Sequence, residues 1–385
     1  MTKRIVIVLT VLLLLVCSAL AETGAVPAVT EVSLELMGSS IRYPQVTGLT
    51  DPSVQAAVNA AIMEAGCVET RINRMTMLMT APVKMTVSSR HTLAGDVFSC
   101  VFLADGAVET TRSTQVWSSV NVNLSTGESI GLSDLFADTD AAIAHIESYL
   151  TEIVAPEQSA HLAAGNLLPL PETFSLSREG LTLYYPIRQF RTLSDRAGTV
   201  TLLWTELRDY LNLAAGSPLD MLGVADMITL NDADTRETLA ATVSGGSLPG
   251  IPATIGQSVQ ELTDTYRQLT DNELCEAGRM FLLEDGAFRG AWIITDALTD
   301  SWSNSMVNII RADRLNLNGL CTGHTTVEEW RRVLGTPEAT VTAGDAQADS
   351  WRIVPGVSDY YTLGEYRLRL HADADGVLRS VFLMK

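Results

Sequence analysis

The sequence predicts an α+β protein: an N-terminal domain of helices and antiparallel sheet, then a helix-plus-antiparallel-sheet domain that reads as a tandem repeat. Three observations predict it. Period-two runs such as Val32, Leu34 and Leu36 are interrupted by single helical segments, without strict strand–helix alternation. Residues 213–250 change character, becoming rich in Gly, Ala, Ser and Asp and ending in Ser244-Gly-Gly-Ser-Leu-Pro-Gly250. After them, Ser258-Val-Gln-Glu-Leu262 recurs as Thr326-Val-Glu-Glu-Trp330, each the start of a short amphipathic helix. The expected plan is 29–212, a linker or joint at 213–250, and 251–385 as two repeats, 251–319 and 320–385.

The elements follow in order. Residues 29–42 alternate as a strand that Tyr43-Pro44 breaks. Asp51 then caps a helix with Pro52 at its first position, and Val54, Val58, Ala61 and Ile62 give it one apolar face to about Ala65. Residues 83–93 and 96–103 read as strands, Asp105-Gly106 as a turn, and 107–124 as a further strand. Asp138 or Thr139 caps a helix over 140–153. Pro169 and Pro171 mark a loop. Phe174–Leu176, Leu181–Tyr185 and Val200–Trp204 are strands, and Thr205–Leu211 a short helix. In the repeats, Glu284-Asp285-Gly286 and Asp375-Gly376 are expected to turn hairpins.

The N-terminus gives the address. Lys3 and Arg4 precede an apolar run from Ile5 to Val16, and Ala19-Leu20-Ala21 offers a small-x-small cleavage site. This is the pattern of a secretory signal peptide over 1–21, after whose removal no membrane span is expected. The alternative is an uncleaved anchor, for which the apolar run is short. The chain of 385 residues carries 26 basic and 45 acidic side chains, a net charge of −19. A surface this acidic repels nucleic acid and anionic lipid. It suits a basic protein partner or divalent cations, or serves solubility.

Beyond the signal segment stand Cys67, Cys100, Cys275 and Cys321, two on each side of residues 213–250. In an oxidising compartment this favours Cys67–Cys100 with Cys275–Cys321; four buried thiols are the alternative. No Cys-x-x-Cys occurs. Of His91, His145, His161, His324 and His371 no two stand four apart, so no metal or cofactor is implied and surface or capping roles are expected. Asp134, Asp138 and Asp140 read as helix caps, and Asp373 with Asp375 as a hairpin turn, since His371 and Phe382 stand where a calcium loop needs acids. Asp232 and Asp234 form a further acidic pair. The six tryptophans alternate with apolar neighbours and read as core, with sugar stacking the alternative.

Val120–Phe136 reads two ways. Gly127-Glu-Ser129-Ile-Gly131 matches the nucleophile elbow of serine hydrolases, which needs a strand entering Ser129 and a helix leaving it. The leaving segment is short and broken by glycine, so a hairpin turning at Thr126-Gly127 is expected, and no catalytic residue.

Several segments carry a family likeness: Tyr43-Pro44 followed by Val54-Gln55-Ala-Ala-Val58-Asn59-Ala-Ala-Ile62; the Thr126-Gly127 turn with Asp134-Leu135-Phe136; Gly180-Leu-Thr-Leu-Tyr-Tyr185; and Ala197-Gly198 through Trp204 before Glu206-Leu207. With these, residues 29–212 resemble the paired extracellular modules DUF4163 and DUF3298. Such modules occur ahead of the catalytic domain in some peptidoglycan deacetylases and in the sensing region of lysozyme-responsive anti-sigma factors. The family's Gly-Ala-His segment is replaced here by Glu109–Val116. Gly323–Trp330, Leu334-Gly335-Thr-Pro337 and the closing hairpin Tyr366–Phe382 resemble the repeats of β-lactamase-inhibitor-like proteins. Together the resemblances imply a secreted, non-catalytic binding module at the bacterial cell surface, for protein interaction or envelope-stress sensing. A cationic protein such as lysozyme is the implied partner. A peptidoglycan-glycan binder is the alternative, and a Ser129 hydrolase the remote one.

Overall fold

In the computed structural model the described residues are 26–36, 38–77, 83–108, 114–158, 170–185, 199–231, 235–265, 269–275, 277–283, 291–297 and 304–385. The signal segment, Cys17, His161, Asp232, Asp234, Trp302, Pro169 and the 284–286 turn lie outside them. Helices and antiparallel sheets are mixed throughout, an α+β fold.

The first sheet has five strands in sequential order. β1 (Ala28–Leu36) and β2 (Ser39–Thr47) form a hairpin that turns at Gly38 (φ +82°). The expected single strand 29–42 is thus two, and Tyr43-Pro44 does not end it. The reason lies in β2's second edge. β2 meets β3 (Val83–Ala94) in parallel only at Ser40 and Ile41, so beyond that point no strand needs a donor from Pro44. Two residues on, the Asn59 side chain takes the neighbour's place, accepting from Val46 N at 2.8 Å and donating to Val46 O at 2.9 Å. Asn59 belongs to α1 (Pro52–Ala65), where Asp51 accepts from Ser53 N at 2.7 Å and Val58 and Ile62 are fully buried. A second helix, α2 (Val68–Met77), follows the Gly66-Cys67 turn and was not foreseen, its sequence being largely polar. β4 (Val97–Val108) runs straight through Asp105-Gly106, because β3 and β5 (Thr114–Asn123) flank it there and pair Asp105 with Thr86 and Gln115. Pairing on both sides overrides the local turn preference.

β5 leads into the Val120–Phe136 hairpin. Gly127 (φ +78°) turns the chain, Ser129 bridges back to Val122, and a 3-10 turn over Leu132–Leu135 follows. α3 (Thr139–Gln158) then packs Ala142, Ile146 and Leu150 against a three-stranded sheet of β6 (Phe174–Leu176), β7 (Gly180–Tyr184) and β8 (Thr199–Leu203). This sheet is stitched to the first by side chains. Ser99 Oγ accepts from Leu176 N at 2.8 Å, Ser119 Oγ accepts from Phe174 N at 3.2 Å, and Asn121 Nδ2 donates to Phe174 O at 3.1 Å.

The described residues of 213–250 pack against the cores on either side. They hold α4 (Pro218–Met221), α5 (Val224–Met227) and α6 (Thr235–Val243). Leu219, Leu222, Val224 and Ile228 enter the core under the three-stranded sheet, while Leu239, Val243 and Leu248 enter the next core along. Gly216, Gly223, Gly246 and Gly250 supply positive φ (+72° to +81°) at the turns around these helices. α4 packs close to the turn between β3 and β4, where a Cβ on Gly95 would lie 2.0 Å from Met221 O.

The last sheet has eight strands, made of two meanders: β9 (Leu269–Cys275), β10 (Gly278–Leu283), β11 (Ala291–Thr295) and β12 (Val307–Ala312); and β15 (Ala339–Ala343), β16 (Gly356–Leu363), β17 (Tyr366–Ala372) and β18 (Leu378–Met384). The meanders join through their final strands, β12 against β18, leaving β9 and β15 as the outer edges. Between them lie the short pair β13 (Asn316–Leu317) and β14 (Leu320–Cys321). One face is covered by α6, α7 (Val259–Thr265) and α8 (Val327–Leu334), whose Leu262 and Trp330 are fully buried. The same brace occurs in each meander. Val259 N donates to Ser305 O and Val307 N to Gln257 O, each at 2.9 Å; Val327 N donates to Gly376 O at 2.9 Å and Leu378 N to Thr325 O at 2.8 Å. Ser258 and Thr326 both cap their helices, accepting from Glu261 N and Glu329 N.

The opposite face carries a row across five strands: Trp292, Arg311, Phe382, Arg369 and Tyr360, each beside the next in register. The guanidiniums lie over the rings, Arg369 at 4.5 Å from Phe382 and Arg311 at 5.5 Å from Trp292. α9 (Asp345–Trp351) crosses this face, and Arg311 Nη1 donates to the Trp351 carbonyl at 2.7 Å at its C-terminal end.

A candidate binding cavity at the joint

A cavity of about 270 Å³ opens between the three-stranded sheet and the eight-stranded one. Thr182 and Thr201 project from β7 and β8, with Ser177 and Glu179 from the turn before β7. Met227 and Ile251 come from the joint, and Arg314, Leu315 and Asn316 from the segment between β12 and β13. Sites between separately packed layers are where binding clefts most often form.

Arg314, in its lining, is held by an ion pair. Arg314 donates Nε to Glu206 Oε1 at 2.5 Å and Nη2 to Glu206 Oε2 at 2.6 Å, a bidentate fork. Nη2 also donates to Thr201 O at 2.9 Å, and Glu206 Oε2 accepts from Leu203 N at 2.8 Å. Burial opposes the Arg314 charge, but Glu206 outweighs it and leaves the guanidinium firmly protonated. The hydroxyls of Thr182 and Thr201 satisfy each other at 2.9 Å, and Asn316 Nδ2 donates to Met227 O at 2.9 Å. Among the described residues no hydrogen bond engages Arg314 Nη1 or the Glu179 carboxylate. Glu206 and Arg314 cancel, so the exposed Glu179 gives the cavity mouth its net charge. Leu203, Met227, Ile251 and Leu315 form the apolar wall. The arrangement suits a group with an apolar stem and a cationic or hydrogen-bonding tip.

The sequence did not single out these residues. Glu206 was visible only as part of a family-like segment, and Arg314 not at all, because their partnership spans 108 positions. The residues it did single out are placed elsewhere. Ser129 is exposed on the return arm of the hairpin, so the strand-to-helix elbow is absent there. Asp134 Oδ2 accepts from Gly131 N at 2.7 Å and Asp138 Oδ1 from Ala141 N at 3.1 Å, both as caps. Asp373 accepts from Asp375 N and Val377 N at 3.0 Å and from Arg379 Nε at 2.6 Å, holding the hairpin turn. Among the described residues no group of three or more His, Cys, Asp and Glu side chains is placed to hold a metal.

Two expectations are corrected. Neither favoured disulfide forms. Cys67 is exposed at its turn while Cys100 lies inside the first core, where burial pushes its thiol up to about 12. Cys321 packs into the joint with its Sγ 3.3 Å from Gly319 O, and burial raises it likewise to about 12. Cys275 ends the outer strand β9. The other correction is His371, expected at the surface and in fact fully buried. Val354 O lies 2.8 Å from Nε2 and can only accept, so Nε2 carries the proton. Nδ1 therefore accepts from Ser358 Oγ at 2.9 Å, which in turn accepts from Arg369 Nε at 2.9 Å. Burial is the main cause holding His371 below its ordinary pKa, and the charges of Arg369 and Arg311 add to it. Of the remaining histidines, His91 stacks on Phe98 and His145 on Tyr210. Trp204 and Trp330 are fully buried, Trp292 and Trp351 nearly so, and Trp117 leans on Tyr184.

No helix among the described residues is long and apolar enough to cross a membrane. No family model and no curated protein matches the chain. Among solved structures it is similar to a DUF3298 family member from Bacteroides fragilis, with 12% identity, 50% of this chain and 96% of that one covered, and a TM-score of 0.34. A DUF3298 family protein from Pseudomonas aeruginosa gives 9% identity, 50% and 95% coverage and a TM-score of 0.36. A DUF4309 family protein from Bacillus subtilis gives 16%, 40%, 96% and 0.27. Likenesses this distant assign neither a ligand nor a reaction.

Proposed function

We propose that this protein is a secreted, non-catalytic binding module that acts at the bacterial cell surface by protein interaction, in the service of envelope-stress sensing. The observation that carries the reading is the joint cavity: an apolar wall, a self-neutralised Glu206–Arg314 pair and a net negative mouth at Glu179. The net charge of −19 supports a cationic partner, which such a surface steers toward contact. In this reading a basic side chain of the partner lays its stem along Leu203 and Ile251 and its tip beside Glu179. Ligand and partner sites placed between two packed layers report on both, as a sensor requires. The test is a pull-down of the mature chain against lysozyme and against purified peptidoglycan, at low and high salt. Retention of lysozyme at low salt and its loss at high salt are expected. Binding to neither would overturn the proposal.

A further inference from the structure

The eight-stranded sheet treats its two outer edges differently. β9 carries Asp271 and Glu273, and its pairing with β10 is broken by a bulge between Met280 and Leu282. Charge and bulges are the usual devices that keep an edge from recruiting another strand. β1, the outer strand of the first sheet, likewise carries Glu31 and Glu35. β15 has neither device. Its sequence, Ala339-Thr340-Val341-Thr342-Ala343, has no charge, and it pairs with β16 in unbroken register. Thr340, Val341 and Thr342 are exposed, and among the described residues no strand pairs with the other side of β15.

The five residues read the same in both directions. In an antiparallel pair centred on Val341, Val341 faces Val341 of a second copy. Thr340 then faces Thr342, and Ala339 faces Ala343. Just beyond, Glu338 faces Gly344, so the acids do not meet. Every cross-strand pair joins like β-branched or small residues, which suits such a ladder. Self-complementarity of this kind is what a two-fold interface demands.

We propose that β15 pairs antiparallel with β15 of a second copy of this chain, two-fold about Val341, so that both eight-stranded sheets continue as one. The new ladder adds on the order of four to six backbone hydrogen bonds, depending on which residues point outward. Because each copy is acidic, salt strengthens the pair by screening repulsion between the bodies, the opposite of its effect on a cationic partner.

Sedimentation of the mature chain, from micromolar to several hundred micromolar and at low and high salt, reads the proposal. Wild type is expected to form dimers that tighten with salt. Val341→Lys sets two ammonium groups opposite each other and should weaken dimerisation by about tenfold or more, with unchanged circular dichroism and melting temperature. In a Cys67→Ser background, Val341→Cys should cross-link to a dimer on oxidation, and the background alone should not. Wild type that stays monomeric throughout, Val341→Lys that dimerises as well as wild type, or a Val341→Cys that fails to cross-link would each overturn it.

Discussion

Asp359 shows how much one buried charge depends on its setting. Its side chain is fully buried, yet it accepts from Arg331 Nε at 2.6 Å and Nη2 at 2.8 Å, Thr340 Oγ1 at 2.7 Å and Trp330 Nε1 at 3.0 Å. Burial pushes its pKa up, but these four donations outweigh it and leave it below the usual carboxylate range. Removing one partner strands the other in the interior. The Arg331 side chain is 40% exposed and Thr340 and Trp330 still donate to Asp359, so Arg331→Ala should cost less than a fully buried pair would, about 1–3 kcal/mol in denaturant titration. His371 sets a pH dependence of known sign. The unfolded chain takes up its proton near pH 6.5, whereas the folded chain resists until lower pH. Stability contributed by neutral His371 is thus complete above about 6.5 and is lost as pH falls from there toward the folded pKa. Melting temperatures measured from pH 7.5 downward should fall across that window, and His371→Gln should flatten the decline.

At the scale of elements, the braces in the two meanders argue for copies of one unit. The N-cap, the buried side chain four positions on, and the pair of backbone bonds to the closing strand recur together. If so, Ser258→Ala and Thr326→Ala should cost similar amounts, about 1 kcal/mol each, in thermal or chemical denaturation. These helices were legible because capping is local: a hydroxyl and a glutamate three apart announce the start. Asp51-Pro52 and Thr126-Gly127 were legible for the same reason. Pro44 and Asp105-Gly106 misled because the deciding fact was which neighbour strand was present. The joint helices were masked because they are short and separated by glycines, which their turns need for positive φ. The cavity was illegible altogether. Its walls come from residues 177–203, 227–251, 291 and 314–316, which only the fold brings together.

For the whole molecule, the two proposals rest on the net charge and on the uncharged outer edge of the eight-stranded sheet. The first predicts attraction to cationic partners that salt abolishes, the second self-pairing that salt promotes. The proposed site ties the charge to Glu179, beside the Glu206–Arg314 fork that holds β8 against the segment entering β13. The proposed binding function is best tested by titrating lysozyme into residues 22–385 at low and high salt, with Glu179→Gln alongside. Wild type should bind at low salt and release at high salt, and Glu179→Gln should bind several-fold more weakly while melting at the same temperature. Equal binding by Glu179→Gln and wild type would contradict the cavity as the site, and no binding by either would contradict the cationic partner.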